Sequence, residues 1–210
     1  MIGKLRPGTF ITIEGGEAMG KSTQIARLAA TLRSHGHTIL LTREPGGTPG
    51  AEAIRALLLN PATSLAPLAD TLLVFAARAD HVETLIRPAL ARGDIVLCDR
   101  FTDSTMAYQG YGLGIDRATI ATLTTMIGLT PDLTLILDAP APIAAARLAS
   151  RPTARDRYET FDASFTTRVA AGFRAIAAAD PARCALIDAS GPIDSIAATI
   201  AATLTTRLAA

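Results

Sequence analysis

From Thr9 to Thr23 the chain reads Thr-Phe-Ile-Thr-Ile-Glu-Gly-Gly-Glu-Ala-Met-Gly-Lys-Ser-Thr, an apolar, β-branched run emptying into Gly15-x-x-x-x-Gly20-Lys21-Ser22. These residue types at this spacing suit a polyphosphate. A strand delivers a loop whose free backbone N–H groups, with the positive end of the next helix, converge on phosphate oxygens, while Lys21 reaches the outer phosphates and Ser22 ligates Mg2+. Gly15, Gly16, Glu17, Ala18, Met19, Gly20, Lys21, Ser22 and Thr23 are therefore the candidate nucleotide-binding residues. A glycine-rich turn before a capped helix would carry similar glycines. It would have no use for a lysine aimed at the helix N-terminus.

Transfer of a phosphoryl group spreads charge over its equatorial oxygens and is catalysed by positioning and cations rather than by covalent chemistry. Two further places in the chain could supply them. Asp99 closes the apolar run Ile95–Cys98 and is followed at once by Arg100; Arg147, Arg151, Arg155 and Arg157 bunch after the run Leu133–Leu137. The segment from Arg151 to Glu159 alternates in charge, carries a proline at its head and separates two helical patterns, which suits a lid. A solvated loop laced with ordinary ion pairs has the same composition.

Elements must bring these groups together. Five short apolar runs are predicted strands: Phe10–Ile13, Thr38–Leu41, Ile95–Cys98, Leu133–Leu137 and Cys184–Ile187. Helical patterns cover Lys21–Ser34, Pro49–Leu59, Leu65–Arg92, Arg117–Ile127, Pro142–Ala149, Phe161–Ala179 and Ile193–Leu208. Strands that are continuously apolar and alternate with helices predict an α/β fold, a doubly wound five-stranded parallel sheet flanked by helices, with ligands at the strands' carboxyl ends. No repeat or Gly/Ser/Pro-rich linker divides the sequence, so residues 1–210 are expected to form one domain with a lid at about 150–160. The Ala/Thr-rich tail still places Ile196, Ile200 and Leu204 at helical spacing, and is expected to pack as a final helix.

With 210 residues, 49% hydrophobic content and a formal charge of +1, the chain can bury one sizeable core, and nothing in its charge calls for nucleic acid. Lys4 and Lys21 are its only lysines; the rest of its positive charge is guanidinium. Cys98 and Cys184 each lie in an apolar run and are expected to be buried thiols in a reducing cytoplasm. There is no signal-like hydrophobic segment and no apolar stretch near the roughly 18 residues that span a bilayer, so a soluble protein without a membrane partner is expected. His35, His37 and His81 lack ligand-like spacing and are expected at the surface, His81 near the site.

A phosphate cradle alone leaves three classes. A switch GTPase needs an Asn-Lys-x-Asp guanine reader, and the one asparagine, Asn60, is followed by Pro61. A motor or transport ATPase remains open, since Asp99 or Asp138 could serve as its strand-end carboxylate, as does a non-catalytic nucleotide-binding or assembly ATPase module. Arg100 and the downstream arginines favour the third class, a small-molecule kinase. Further motifs then carry a resemblance: Ile13-Glu-Gly-x-Glu17, Thr42-Arg-Glu-Pro-Gly-Gly-Thr48, Phe75-Ala-Ala-Arg78-Ala-Asp80, Asp99-Arg100-Phe101 with Ser104-Thr105-x-x-Tyr108-Gln109-Gly110, and Asp156-Arg157-x-Glu159. In order, over nearly the whole chain, they resemble the thymidylate kinases, most of all the bacterial type whose lid holds the catalytic arginine. The resemblance implies ATP plus dTMP giving ADP plus dTDP with Mg2+, and a homodimer through helices flanking the sheet.

Because the acceptor is a phosphate monoester with a second pKa of about 6, no general base is required; the difficulty is repulsion between anions. Lys21 and Mg2+ belong to the donor side, with Ser22 on the metal and Asp99 holding a metal-bound water or orienting Arg100. Arg100 lies between donor and acceptor, and Arg157 closes from the lid with Arg155 and Arg151 behind it, Arg151 on the nucleotide. Arg43 and Arg55 are candidates for the acceptor phosphate. On the resemblance, Phe75 stacks on thymine, Arg78 takes its O4 edge, Ser104 or Thr105 takes the remaining polar edge, Tyr108 crowds the 2′ position and Glu17 accepts from the 3′-OH, with Gln109 completing the acceptor set. On pattern alone Phe75 would be a core residue. Two departures from the family pattern stand out: Ala18 replaces a common glycine, and the lid is short.

Overall fold

A computed structural model describes residues 5–150 and 157–208. Arg151 and Arg155 lie outside them. The chain runs β1 (Phe10–Gly15), α1 (Lys21–Ser34), β2 (Ile39–Arg43), α2 (Pro49–Leu59), α3 (Pro67–His81), a π-helical turn (Val82–Ile86), α4 (Arg87–Ala91), β3 (Ile95–Asp99) and α5 (Thr102–Thr105), which continues into a second π-helical stretch (Met106–Gly112). Then come α6 (Arg117–Ile127), β4 (Leu133–Asp138), α7 (Ala141–Ala149), a 3-10 turn (Tyr158–Thr160), α8 (Ala163–Ala179), β5 (Cys184–Asp188) and α9 (Ile193–Leu208).

The five strands form one parallel sheet in the order β2-β3-β1-β4-β5. Its centre explains the unbroken apolar runs: all six residues of β1 are buried, because helices cover both faces, whereas the edge strands β2 and β5 are partly exposed. One face packs Ile25, Leu28 and Leu32 of α1 and Ile196, Ile200 and Leu204 of α9 against Ile11, Ile13, Leu97 and Leu135. Burial of each such side chain is worth about 1.5–3 kcal/mol, enough to hold the Ala/Thr-rich tail in place as the expected helix. The opposite face buries Phe10, Val82, Ile86 and Phe101 in one cluster and Tyr108, Phe165, Val169 and Phe173 in another. Cys98 and Cys184 are free and buried there, and burial pushes the Cys98 thiol well up and Cys184 to about 12.

The predicted strands and six of the helices agree with the structure to within a residue or two. The long helix expected over Leu65–Arg92 begins at Pro67 and widens at Val82–Ile86. Pro88 has no N–H to give to the carbonyl of Thr84 and its ring would crowd that carbonyl, so the widened turn sits where a regular α-helix would fail. The helix expected from Phe161 begins instead at Ala163, because the Asp162 carboxylate accepts from Phe165 N–H at 2.8 Å and caps it. No helix was expected over residues 102–112. That stretch is rich in Thr, Ser and Gly, poor helix formers, and is held by tertiary packing.

Candidate active site

The cradle follows from where β1 ends. Gly15 has φ +131°, and a Cβ there would come within 2.3 Å of the Leu137 carbonyl oxygen, so no other residue fits. Gly20, at φ +84°, turns the chain into α1. Between them Ala18 adopts φ +56°, a left-handed conformation that costs a residue with a Cβ about 1–2 kcal/mol. The departure from glycine is thus accommodated at a cost in strain. Lys21 is buried, and its Nζ donates to the carbonyls of Gly15 at 3.1 Å and Gly16 at 2.7 Å. Burial, with the neighbouring Arg100 charge, lowers its pKa against the opposing pull of Glu17, Asp99 and Glu14. Ser22 and Thr23 stand exposed at the head of α1.

Strand β3 lies beside β1 with Ile13 opposite Asp99, so the residues after β3 arrive next to the cradle. Arg100 has φ +72° and turns its guanidinium inward: Nη1 donates to Gly15 O at 2.9 Å and Ser104 Oγ at 3.1 Å, Nη2 to Glu17 Oε1 at 2.5 Å. It lies over the Tyr108 ring at 4.9 Å. Burial opposes its charge, but Glu17 and the other acidic groups outweigh burial and raise its pKa. Asp99 Oδ1 is buried without a hydrogen-bond partner. An orphaned carboxylate oxygen in the cleft that also holds the Ser22 hydroxyl fits Mg2+, which takes one or two protein ligands and completes its shell with phosphate oxygens and water. Among the described residues no cluster of three His, Cys, Asp or Glu could hold a metal unaided.

These groups line one cleft of about 460 Å3 that continues from the cradle past Arg43, Arg55, Val74, Arg78, Thr105, Tyr108 and Gln109. Arg78, 1% exposed, is gripped on several sides: Nε donates to Glu44 Oε2 at 2.7 Å, Nη2 to Phe101 O at 3.0 Å and Thr105 Oγ1 at 2.9 Å, and the Phe75 and Phe101 rings lie 4.9 and 5.2 Å from it. Its Nη1 is buried with no partner. A fixed, unsatisfied donor on a cleft wall is the polar group that a bound carbonyl would complete. Phe75 is buried against Arg78 and is not among the residues lining the cleft; Val74 is. Tyr108 donates its hydroxyl to Glu17 Oε1 at 2.7 Å, and its pKa is well raised by burial. Ser104 gives its proton to Glu14 at 2.5 Å, and Gln109 Nε2 donates to Asp70 at 2.8 Å. Arg43 pairs with Glu52 and Arg55 Nη1 donates to Pro45 O, both at the cleft wall.

Two expectations need correction. His81 is not a surface residue: it is fully buried, with Nδ1 3.0 Å from Glu44 Oε1 and Nε2 2.6 Å from Thr42 Oγ1. It follows Arg78 by three residues on α3 and so shares its inward face, a spacing legible in the sequence. Arg157 is not poised over the cradle. Its Nε donates to Leu58 O at 2.8 Å, its Nη2 pairs with Asp70, and its backbone N–H donates to Leu59 O at 3.2 Å, so it caps the end of α2. A buried aspartate exists to hold it. Glu14 and Glu44, which the motifs contained without a role, and Asp70, which no motif contained, are the carboxylates that fix Ser104, Arg78 and Arg157.

The family model described as thymidylate kinase matches residues 13–200. The chain belongs to the thymidylate kinase family. It is 52% identical to the thymidylate kinase of Chromohalobacter salexigens over 98% of this chain and 99% of that one, and 51% identical to that of Gluconobacter oxydans over 92% of each. Its fold is similar to the crystal structure of thymidylate kinase from Ehrlichia chaffeensis, with a TM-score of 0.76 at 36% identity, covering 93% of this chain and 97% of that one. A single cleft joins the Lys21 cradle to the wall that carries Arg78.

Proposed function

We propose that the chain phosphorylates dTMP to dTDP with ATP as donor. The observation that carries this reading is the buried, unpartnered Nη1 of Arg78 on the wall of the cleft that begins at the Lys21 cradle. ATP phosphates replace the Gly15 and Gly16 carbonyls as partners of Lys21. Thymine enters with O4 toward Arg78 Nη1, and the deoxyribose lies near Tyr108 and Glu17. Arg100, held between the cradle and Glu17, bridges the transferring phosphoryl group and the acceptor phosphate, offsetting the repulsion that would otherwise keep two anions apart. Arg43 and Arg55 take the outer side of the acceptor phosphate.

Ser22 and the unpartnered oxygen of Asp99 would hold Mg2+, which would supply charge neutralisation on the donor phosphates. Arg151 and Arg155 act from the lid at about 150–160, within a single domain. No described helix is long and apolar enough to cross a membrane, and we place the enzyme in the cytoplasm as a homodimer. Leu68 and Leu72, four residues apart on α3, are 51% and 48% exposed, and Met126 on the neighbouring α6 is 77% exposed, a surface that suits a second copy. The deciding experiment is coupled ADP release across a panel of nucleoside monophosphates. ADP release dependent on dTMP is expected; hydrolysis indifferent to any monophosphate would instead mark a nucleotide-binding or assembly ATPase module.

A further inference from the structure

We infer that Glu14, a carboxylate the proposed mechanism does not use, is the positioning residue that sets Arg100 and makes its placement depend on the ionisation of a buried group. The inference rests on the reading that Arg100 bridges donor and acceptor. Glu14 lies on the central strand and is fully buried, one of the few acidic side chains with no access to water. Its Oε1 accepts from the Phe101 N–H at 2.7 Å and its Oε2 from Ser104 Oγ at 2.5 Å. Those two bonds anchor the backbone just after Arg100, which lies in the left-handed region at φ +72°. Strain of this kind persists only where neighbours over-determine it. Ser104, having given its proton to Glu14, presents lone pairs to Arg100 Nη1 at 3.1 Å. The carboxylate thus fixes the Ser104 hydroxyl in the direction that leaves its oxygen open to Arg100.

Protonation reverses that logic. A neutral Glu14 carries a proton on one oxygen: on Oε1 it opposes the Phe101 N–H, and on Oε2 it makes Ser104 accept from both Glu14 and Arg100, leaving the serine's own proton without that acceptor. The charged and titratable groups whose fields reach Glu14 are Arg100, Asp103 of α5, Lys21 of α1, Cys98 of β3 and Cys184 across the sheet; Asp103 is itself held by Arg183 at 2.6 and 3.0 Å. Burial foremost, then the Asp103 charge, pushes Glu14 up to about 7, against the bonds from Ser104 and the charge of Arg100. The ionised, position-holding form therefore prevails above that value and is lost below it.

The test is kcat against pH at saturating ATP, Mg2+ and dTMP for the wild type, Glu14→Gln, Ser104→Ala and Arg100→Ala, with circular dichroism to verify folding. The dTMP phosphate titrates near pH 6 in every arm and cancels in the comparison. In the wild type kcat should fall through about pH 7. Glu14→Gln, which cannot accept at both atoms, should lower kcat about tenfold at alkaline pH and abolish that limb, with KM for ATP changed less than about twofold. Ser104→Ala, which cuts the link while leaving Glu14 in place, should abolish it too. If Glu14→Gln folds and keeps both the wild-type kcat and the limb, the inference is overturned; if it does not fold, retention of the limb in Ser104→Ala overturns it. An Arg100→Ala enzyme with wild-type kcat would sink the reading of Arg100 instead, whatever Glu14 does.

Discussion

Lys21 is a cation drawn out of water, its charge disfavoured by burial and held meanwhile by two backbone carbonyls. Its strongest interactions therefore await a phosphate, and only those formed at transfer accelerate the reaction. Lys21→Ala should lower kcat by about two to four orders of magnitude with the unfolding temperature nearly unchanged, and an enzyme with intact turnover would remove the cradle from the mechanism. Tyr108 calls for a finer substitution. Its ring stands edge-on to Tyr158, Phe165 and Phe173, so truncation to Ala would cost about 3–5 kcal/mol of packing and confuse the result. Tyr108→Phe keeps the ring and loses only the bond to Glu17. If the ring crowds C2′, the preference for dTMP over ribothymidine monophosphate, measured as a ratio of kcat/KM, should survive this change; a collapsed ratio would assign the selection to the hydroxyl.

At the scale of elements, the end of α2, the first turn of α3 and the 3-10 turn are tied together by Asp70, which takes Arg157, the Tyr158 hydroxyl and Gln109 Nε2. Removing one partner from such a pair leaves a buried charge uncompensated, at about 3–5 kcal/mol. Arg157→Ala should accordingly lower the denaturant midpoint, and a variant of wild-type stability that has lost only kcat would return Arg157 to the role expected from sequence. This is also where the sequence stopped being legible. The cradle and the strands were readable because glycine spacing and apolar runs are local signals, and α2 was readable from Thr48 and Pro49 at its start. Arg78 was found by its motif. The bonds that Glu44 makes to it and to His81 were not, since a contact across 34 or 37 residues leaves no mark on periodicity. The helical stretch after Arg100 was hidden for the same reason: its Thr and Gly residues argue against a helix, and the aromatic cluster that holds it comes from α8, some 60 residues away.

For the molecule as a whole, the proposed homodimer makes a simple demand on α3. Sedimentation velocity should find a dimer, and Leu72→Glu should shift it toward monomer while leaving the monomer folded; a wild-type monomer at micromolar concentration would exclude the interface. The scarcity of lysine noted at the outset has a practical consequence of another kind. Lys4 and Lys21 are the only side-chain amines in 210 residues, so an acylating reagent has almost nothing to label. Lys21 is 7% exposed, yet its lowered pKa leaves more of it as the nucleophilic free amine than an ordinary lysine offers. An acyl phosphate, which enters as an anion, should therefore mark the cradle itself, and mass mapping of the modified peptide in the presence and absence of ATP would turn a near-lysine-free composition into a footprint of nucleotide occupancy.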